Sequence, residues 1–94
     1  MIIAVDFDGT LQINKEPNMV LIDRLKRAQA HGDTVILWTC RDGNSLVEAL
    51  RFLQGYGFRP NYINSNCPEG IQRTGRDSRK VFADVYVDDK AARW

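Results

Sequence analysis

The sequence predicts a small α/β fold, in which a mostly parallel sheet of about four strands lies between layers of helix. Short apolar runs typical of buried strands alternate along the chain with longer stretches of helical periodicity. Such an order favours a parallel sheet with right-handed crossovers, and ligands of these sheets bind beyond the carboxyl ends of the strands. Three of the apolar runs end in polar residues, so a site is expected there.

Four segments are predicted as strands. Residues 2–5 (IIAV) and 34–38 (TVILW) are continuous apolar runs, as expected for strands buried on both faces. Residues 85–87 (VYV) form a third run. The weaker segment 61–64 (NYIN) is expected at an edge of the sheet.

Two helices and a brief third one are predicted between the strands. Residues 17–30 carry proline in the first turn and apolar residues along one side, and Gly32 follows as a stop signal. The second helix is expected to be capped by Asn44 or Ser45 and to end at Gly55. Its apolar face consists of Leu46, Ala49, Leu50 and Leu53. The brief helix is predicted near residues 78–82.

Composition and length favour one globular domain over residues 1–94. Apolar residues make up 44% and charged residues 27% of the 94 residues, and no stretch approaches the roughly 20 apolar residues of a membrane helix. No basic segment precedes the first apolar run and Asp6 interrupts it, which argues against a secretory signal. We therefore expect a cytoplasmic protein that does not enter a membrane.

Charge and cysteine content exclude two further classes. The net charge of +1 argues against nonspecific binding of polyanions through bulk charge. Cys40 and Cys67 lack CxxC spacing and the single histidine is His31, so a structural zinc site is not expected. Free thiols are favoured over a disulfide. Cys40 is expected to be a small buried neighbour of the site, and Trp38 a core residue.

Carboxylates gather at the predicted site. Asp6 and Asp8 follow the first strand and Asp88 follows the last. If the first strand extends through Phe7, alternation puts Asp6 and Asp8 on the same side. Their mutual repulsion would favour a cation, and oxygen ligands suit magnesium better than zinc or copper. The residues therefore predict a Mg²⁺ site formed by Asp6, Asp8 and Asp88.

The same motifs resemble those of the haloacid dehalogenase superfamily of phosphohydrolases. DFDGT at 6–10 is similar to that family's DxDxT signature, and Thr39 after an apolar strand resembles its second motif. Lys80 matches the third motif, although Arg79 stands beside it, and VDD at 87–89 matches the fourth. The resemblance spans residues 2–89 in the family's order. It implies a Rossmann-like three-layer sandwich that acts as a phosphatase.

The resemblance also implies a role for each matching residue. Asp6 would be the nucleophile that forms an aspartyl-phosphate, and Asp8 the general acid and then base, with a raised pKa. The side chains of Asp6 and Asp88 and the main-chain carbonyl of Asp8 would bind magnesium. Thr39 would hydrogen-bond a phosphoryl oxygen, and Lys80 would offset the negative charge.

Some roles near the site stay open at this point. Arg41 is expected either to bind a substrate phosphate or carboxylate bidentately or to be a solvated loop residue. With Thr39, Cys40 and Lys80 it makes up the predicted substrate-binding set. Asp89 fits a catalytic role and, equally, the cap of a short helix at residues 90–94.

No cap domain fits in the predicted connections. Segment 10–33 has room for a short flap and one helix, and segment 41–79 for one helix, one strand and loops. An uncapped site would accept a phosphorylated small molecule or a macromolecular end, or would borrow a lid from another copy in a homo-oligomer. The leading interpretation is a magnesium-dependent phosphomonoester hydrolase. The alternatives are a phosphoacceptor signalling module and a noncatalytic anion-binding domain.

Overall fold

The computed structural model describes residues 1–77 and 81–89. Lys80, Arg79 and the helix predicted at 90–94 lie outside the described residues. The elements in chain order are β1 Ile2–Val5, β2 Gln12–Ile13, β3 Glu16–Pro17, α1 Met19–Ala30, β4 Thr34–Leu37, α2 Gly43–Gly55, β5 Tyr62–Ile63, α3 Pro68–Thr74 and β6 Val85–Val87.

The four predicted strands form one parallel sheet in the order β5-β4-β1-β6. Val5 at the end of β1 lies opposite both Leu37 of β4 and Val87 of β6. Three strands therefore end at the same level, and the residues that follow them emerge at one edge of the sheet. The α/β fold with a four-stranded parallel sheet is confirmed, and the NYIN segment lies at an edge as predicted.

Side chains alternate between two unlike faces of the sheet. The major face carries α1 and α2, which bury residues such as Ile22, Leu25 and Leu53. The minor face is covered by the start of α3 and the segment before β6. The major face of the sheet consists of Ile3, Val5, Val35, Leu37 and Val87, and the minor face of Ile2, Ala4 and Ile36 packed on Cys67, Val81 and Ala83.

A short antiparallel hairpin of β2 and β3 occupies the predicted flap position. Its two-residue turn uses left-handed backbone at Asn14 and Lys15, with φ of 52° and 66°. The prediction that α1 begins with Pro17 is wrong, because Pro17 pairs in the hairpin. The helix is capped by Asn18 instead, whose side chain accepts a hydrogen bond from Leu21 N–H at 3.4 Å.

The second helix begins slightly earlier than predicted. It starts at Gly43 with Asp42 in the cap position, and neither Asn44 nor Ser45 is the cap. The Ser45 hydroxyl lies inside the first turn and donates to the Asp42 carbonyl at 2.8 Å. Leu46 N–H also donates to the Asp42 carbonyl, which is the first main-chain hydrogen bond of the helix.

Two differences concern the minor face. Helix α3 was not predicted, because seven residues are too few to show periodicity, although Pro68 at its start and left-handed Gly75 at its end are ordinary boundary signals. Of the helix predicted at 78–82, residues 78–80 lie outside the described part, and Val81 and Phe82 are not helical. Among the described helices, none has the length and apolar character needed to cross a membrane.

Candidate functional site

A cavity of about 250 Å³ opens at the carboxyl edge of the sheet, on the side of the minor face. Four of the predicted site residues line it together, namely Asp6, Thr39, Cys40 and Asp88. They follow β1, β4 and β6, whose common end level puts them side by side. Ala4, Trp38, Tyr86 and Val87 form the rest of the lining.

Asp6 is the most constrained of the cavity's polar groups. Its main-chain N–H still donates to the Val87 carbonyl at 3.0 Å, so the sheet fixes its position one residue beyond β1. Its carboxylate accepts a hydrogen bond from Phe7 N–H at 2.8 Å. Burial raises the pKa of Asp6, whereas the bond from Phe7 lowers it.

Neighbouring carboxylates add to this shift. After burial, the negative charges of Asp8, Asp89 and Asp88 further raise the pKa of Asp6. Asp89 also lies against the loop after β1, since a Cβ placed on Gly9 would be 3.6 Å from the Asp89 Cβ. The surroundings of Asp6 therefore favour a bound proton or a bound cation over a bare carboxylate.

Two carboxylates of the cavity, Asp6 and Asp88, are the candidate side-chain ligands of a metal ion. Within residues 1–77 and 81–89, no three Asp, Glu, His or Cys side chains form a cluster suited to a metal. The set implied by the resemblance needs only two side chains, because its third protein ligand is a main-chain carbonyl. Asp6 and Asp88 line one cavity and supply oxygen donors in a site of excess negative charge. This chemistry fits Mg²⁺.

Asp8 is not among the residues that line the cavity, and it forms an ion pair with Arg41. The Arg41 Nε donates to Oδ2 at 2.9 Å and Nη2 to Oδ1 at 2.8 Å. The expectation that Asp6 and Asp8 share one side required β1 to run through Phe7. The strand ends at Val5 instead. The Phe7 carbonyl then accepts the N–H groups of Thr10, Leu11 and Gln12, which turns the chain and redirects Asp8.

The pairing with Arg41 also reverses the shift expected for Asp8. The hydrogen bond from Arg41 lowers the pKa of Asp8, and the carboxyl side chain remains 58% exposed. Arg41 itself is well anchored: its Nη1 donates to the Ser45 carbonyl at 3.0 Å, and its guanidinium lies 4.8 Å from the centre of the Phe7 ring. Arg41 is therefore held by contacts within the protein, and its binding of a substrate stays a prediction.

Thr39 is held in place by a residue that the sequence did not single out. Its main-chain N–H donates to the Asn64 side-chain oxygen at 2.8 Å, while Asn64 N–H donates to the Leu37 carbonyl at 2.8 Å. Asn64 has a left-handed φ of 50°, which asparagine tolerates better than most residues. An asparagine directly after a weak edge strand is the signal that could have identified this positioning residue. The Thr39 hydroxyl accepts from Arg41 N–H at 3.1 Å.

Two lining residues differ from expectation in their exposure. Trp38 was predicted as a core residue within β4, but it is 39% exposed because the strand ends one residue earlier. Cys40 was predicted to be buried and is an exposed free thiol on the turn before α2. Both remain part of the cavity lining.

Comparison with known proteins gives one informative match. No family model matches the chain, and no curated protein matches it. Among solved structures, a conserved protein coded by a locus of Bacteroides thetaiotaomicron has a TM-score of 0.80 and 35% sequence identity. The match covers 96% of this chain and 76% of the Bacteroides chain. The chain belongs to the family of that conserved protein.

In this family member, the site combines two kinds of surface. Its lining includes the carboxylates Asp6 and Asp88 and the strand-end Thr39, and also the apolar or aromatic residues Ala4, Trp38 and Tyr86. A carboxylate nucleophile needs a fixed position and an electrophile that can approach it from open space. Asp6 meets both needs, since the sheet holds its main chain and its side chain lines an open cavity.

Proposed function

We propose that the chain is a magnesium-dependent phosphomonoester hydrolase of the haloacid dehalogenase type. The observation that carries the proposal is the single cavity shared by Asp6, Thr39 and Asp88, which come from three separate motifs of the sequence. These motifs occur along the chain in the same order as in the haloacid dehalogenase superfamily. The three residues lie at the carboxyl ends of the parallel strands, where α/β sheets bind ligands.

The reaction proceeds in two steps. The Asp6 carboxylate attacks phosphorus, a bond forms between the carboxylate oxygen and phosphorus, and the ester oxygen leaves with a proton from Asp8. Water then gives its proton to Asp8 and attacks phosphorus, which releases inorganic phosphate and restores Asp6. Thr39 donates a hydrogen bond to a phosphoryl oxygen. The third motif, at Lys80 or Arg79, lies outside the described residues and would balance negative charge.

Magnesium would be held by the side chains of Asp6 and Asp88 and by the main-chain carbonyl of Asp8. When bound, it supplies charge neutralisation and orientation of the phosphate. Burial is the main cause of the raised pKa of Asp6, and the nearby carboxylates raise it further. That second contribution supports the assignment, because negative charges that favour a proton on Asp6 also favour a cation there.

Asp8 needs a change of partner before it acts as an acid. Its pKa is lowered while Arg41 donates both hydrogen bonds, so the carboxylate has no proton to give. A guanidinium also binds phosphate bidentately. In the proposed cycle, Arg41 moves from Asp8 to the substrate phosphate, and the freed carboxylate beside that phosphate then acquires a proton.

The test is phosphate release from a panel of esters with and without Mg²⁺. We expect turnover only with magnesium, a loss of more than about 10⁴-fold in Asp6→Asn and of about 10²- to 10⁴-fold in Asp8→Asn. The control is Asp23→Asn, which removes an exposed carboxylate of α1 outside the cavity and should keep wild-type turnover.

Three results would contradict the proposal. Wild-type turnover in Asp6→Asn would remove the nucleophile. A long-lived phosphorylated Asp6 without hydrolysis would favour the signalling module instead. Magnesium binding without turnover of any ester would favour an anion-binding domain.

A further inference from the structure

We propose that the apolar wall of the cavity is a platform for a planar aromatic ring, so the substrate is a phosphate ester that carries such a ring close to its phosphate. This inference rests on the proposed hydrolase function and names its substrate class. The platform is the ring of Trp38, with Tyr86 beside it, and both residues line the same cavity as Asp6.

Trp38 has a fixed main chain and an accessible side chain. Its main-chain N–H donates to the Val5 carbonyl at 2.9 Å, so the residue stays in register with the sheet although β4 ends before it. The residue is 39% exposed and lines the cavity. A large aromatic side chain held by its main chain and left uncovered is available for stacking.

Tyr86 supports Trp38 from within the sheet. The two ring centres are 5.9 Å apart, and the ring planes are inclined by 58°. The Tyr86 hydroxyl donates to the Val81 carbonyl at 2.7 Å and accepts from Ala83 N–H at 3.1 Å. These bonds to the main chain fix the ring, so the platform needs little ordering when a ligand binds.

The lining beside the Trp38 ring is apolar. Ala4 stands on the central strand β1, on the minor face that also carries Ile2 and Ile36, and its methyl group leaves open depth beside the two rings. The hydroxyls of a sugar would find few partners on such a wall, whereas a ring would lose little by leaving water there.

The size of the cavity limits the leaving group. Its volume of about 250 Å³ includes the polar end at Asp6, Thr39 and Asp88. Pockets for drug-sized ligands begin near 300 Å³. One ring attached near the phosphate therefore suits this space, with the phosphate at the carboxylate end and the ring on Trp38.

The experiment compares two esters that differ only in the flatness of the ring. Benzyl phosphate and cyclohexylmethyl phosphate share a primary alkyl link to the phosphate, so their leaving groups react similarly. Stacking predicts a kcat/KM about tenfold higher for benzyl phosphate, expressed mainly in KM. A second pair, uridine 5′-monophosphate and ribose 5-phosphate, distinguishes a nucleobase from an aryl group as the source of the ring.

Three variants test whether Trp38 causes the preference for benzyl phosphate over cyclohexylmethyl phosphate. Trp38→Leu should reduce the benzyl to cyclohexylmethyl ratio to about one, and Trp38→Phe should restore most of it. Tyr56→Leu is the matched control, because Tyr56 is an aromatic residue of nearly equal exposure, 38%, at the end of α2 on the major face. It should keep the tenfold ratio.

Binding of benzylphosphonate and cyclohexylmethylphosphonate by calorimetry separates this inference from the hydrolase proposal. Turnover of both esters with equal kcat/KM would overturn the platform and leave the hydrolase standing. No turnover of any ester in the panel, together with tenfold tighter benzylphosphonate binding that Trp38→Leu abolishes, would overturn the hydrolase and support the platform. No turnover and no binding preference would overturn both.

Discussion

The two faces of the sheet are covered to different degrees. On the major face, two long helices bury a continuous cluster that includes Phe7, Leu25 and Leu53. On the minor face, among the described residues, a seven-residue helix and a loop cover a smaller cluster, and the cavity opens beside it. A domain of this size thus concentrates its stability on one face and leaves room for a ligand at the other.

Truncation in the major face should have the largest effect on stability. Leu53 is fully buried on α2, so Leu53→Ala should lower the free energy of unfolding by about 3 kcal/mol, through lost burial and a residual cavity. Urea denaturation measures this change. Val47→Ala on the same helix removes an exposed aliphatic group and should cost less than about 0.5 kcal/mol. Equal costs would contradict the contrast between buried and exposed positions of α2.

Asn64 tests whether the edge of the sheet positions the site. Asn64→Gly keeps the left-handed backbone and removes the acceptor for Thr39 N–H. We expect about 1 kcal/mol less stability and about tenfold slower phosphate release, because Thr39 loses its fixed position. Asn64→Ala should cost a further 1 kcal/mol or so from backbone strain alone. If activity were unchanged in the glycine variant, Asn64 would be a structural residue only.

Asp84 connects helix α3, which lies over the minor face, to strand β1 of the sheet. Its carboxylate accepts from Ile2 N–H at 2.7 Å and pairs with Arg73 of α3 at 3.1 Å. Asp84→Asn should therefore lower the free energy of unfolding by about 1 kcal/mol at neutral pH. Asp23→Asn, at an exposed position of α1, should change it by less than about 0.5 kcal/mol.

The cost of Asp84→Asn should depend on pH. The bond from Ile2, followed by the pairing with Arg73, lowers the pKa of Asp84 below its ordinary value of 3.8. The carboxylate therefore contributes its stability above pH 3.8, and this contribution is lost as pH falls through the folded-state pKa. Urea denaturation from pH 7 to pH 3 should show the wild type and Asp84→Asn converging. A constant difference over that range would contradict the assignment.

Thr10 should give the smallest effect. Its hydroxyl is buried and has no hydrogen-bond partner within the described part of the chain. Thr10→Val keeps the shape of the side chain and removes this polar group, so the free energy of unfolding should be unchanged or rise by up to about 1 kcal/mol. Thermal denaturation measures it. A loss of more than 1 kcal/mol would mean that the hydroxyl has a partner.

Local pattern was enough to predict most of the sheet. In a run such as IIAV, the side chains on both faces of the strand are apolar. This pattern is typical of a central strand of a parallel sheet, which is buried on both faces. The second helix is predicted because its apolar residues Leu46, Ala49, Leu50 and Leu53 recur on one face over about two turns. Boundaries were less accurate: apolar character continues through Trp38, although the strand ends at Leu37. Hydrophobicity alone does not tell a buried indole from one that lines a cavity.

The position of the site at the ends of the strands could be predicted from the sequence. The ion pair of Asp8 and its effect on the pKa of that residue could not. Asp6, Thr39 and Asp88 meet because parallel strands in register end together. The partner of Asp8 is 33 residues away, and nothing near the DFDGT motif indicates that Arg41 reaches it. The direction of the pKa shift on Asp8 depends on that one distant contact, so it had to come from the three-dimensional structure.

Strand β5 is only two residues long, so it cannot pair with the whole length of β4. Side chains next to β5 bond to main-chain N–H groups of β4 and of the residue after it, on the side that faces β5. The Asn61 side chain accepts from Val35 N–H at 2.8 Å, and the Asn64 side chain accepts from Thr39 N–H. Two side-chain amide groups, one before and one after β5, thus replace main-chain hydrogen bonds that a longer strand would have made. A second molecule would find these donors already taken, which protects the protein against lateral stacking into aggregates.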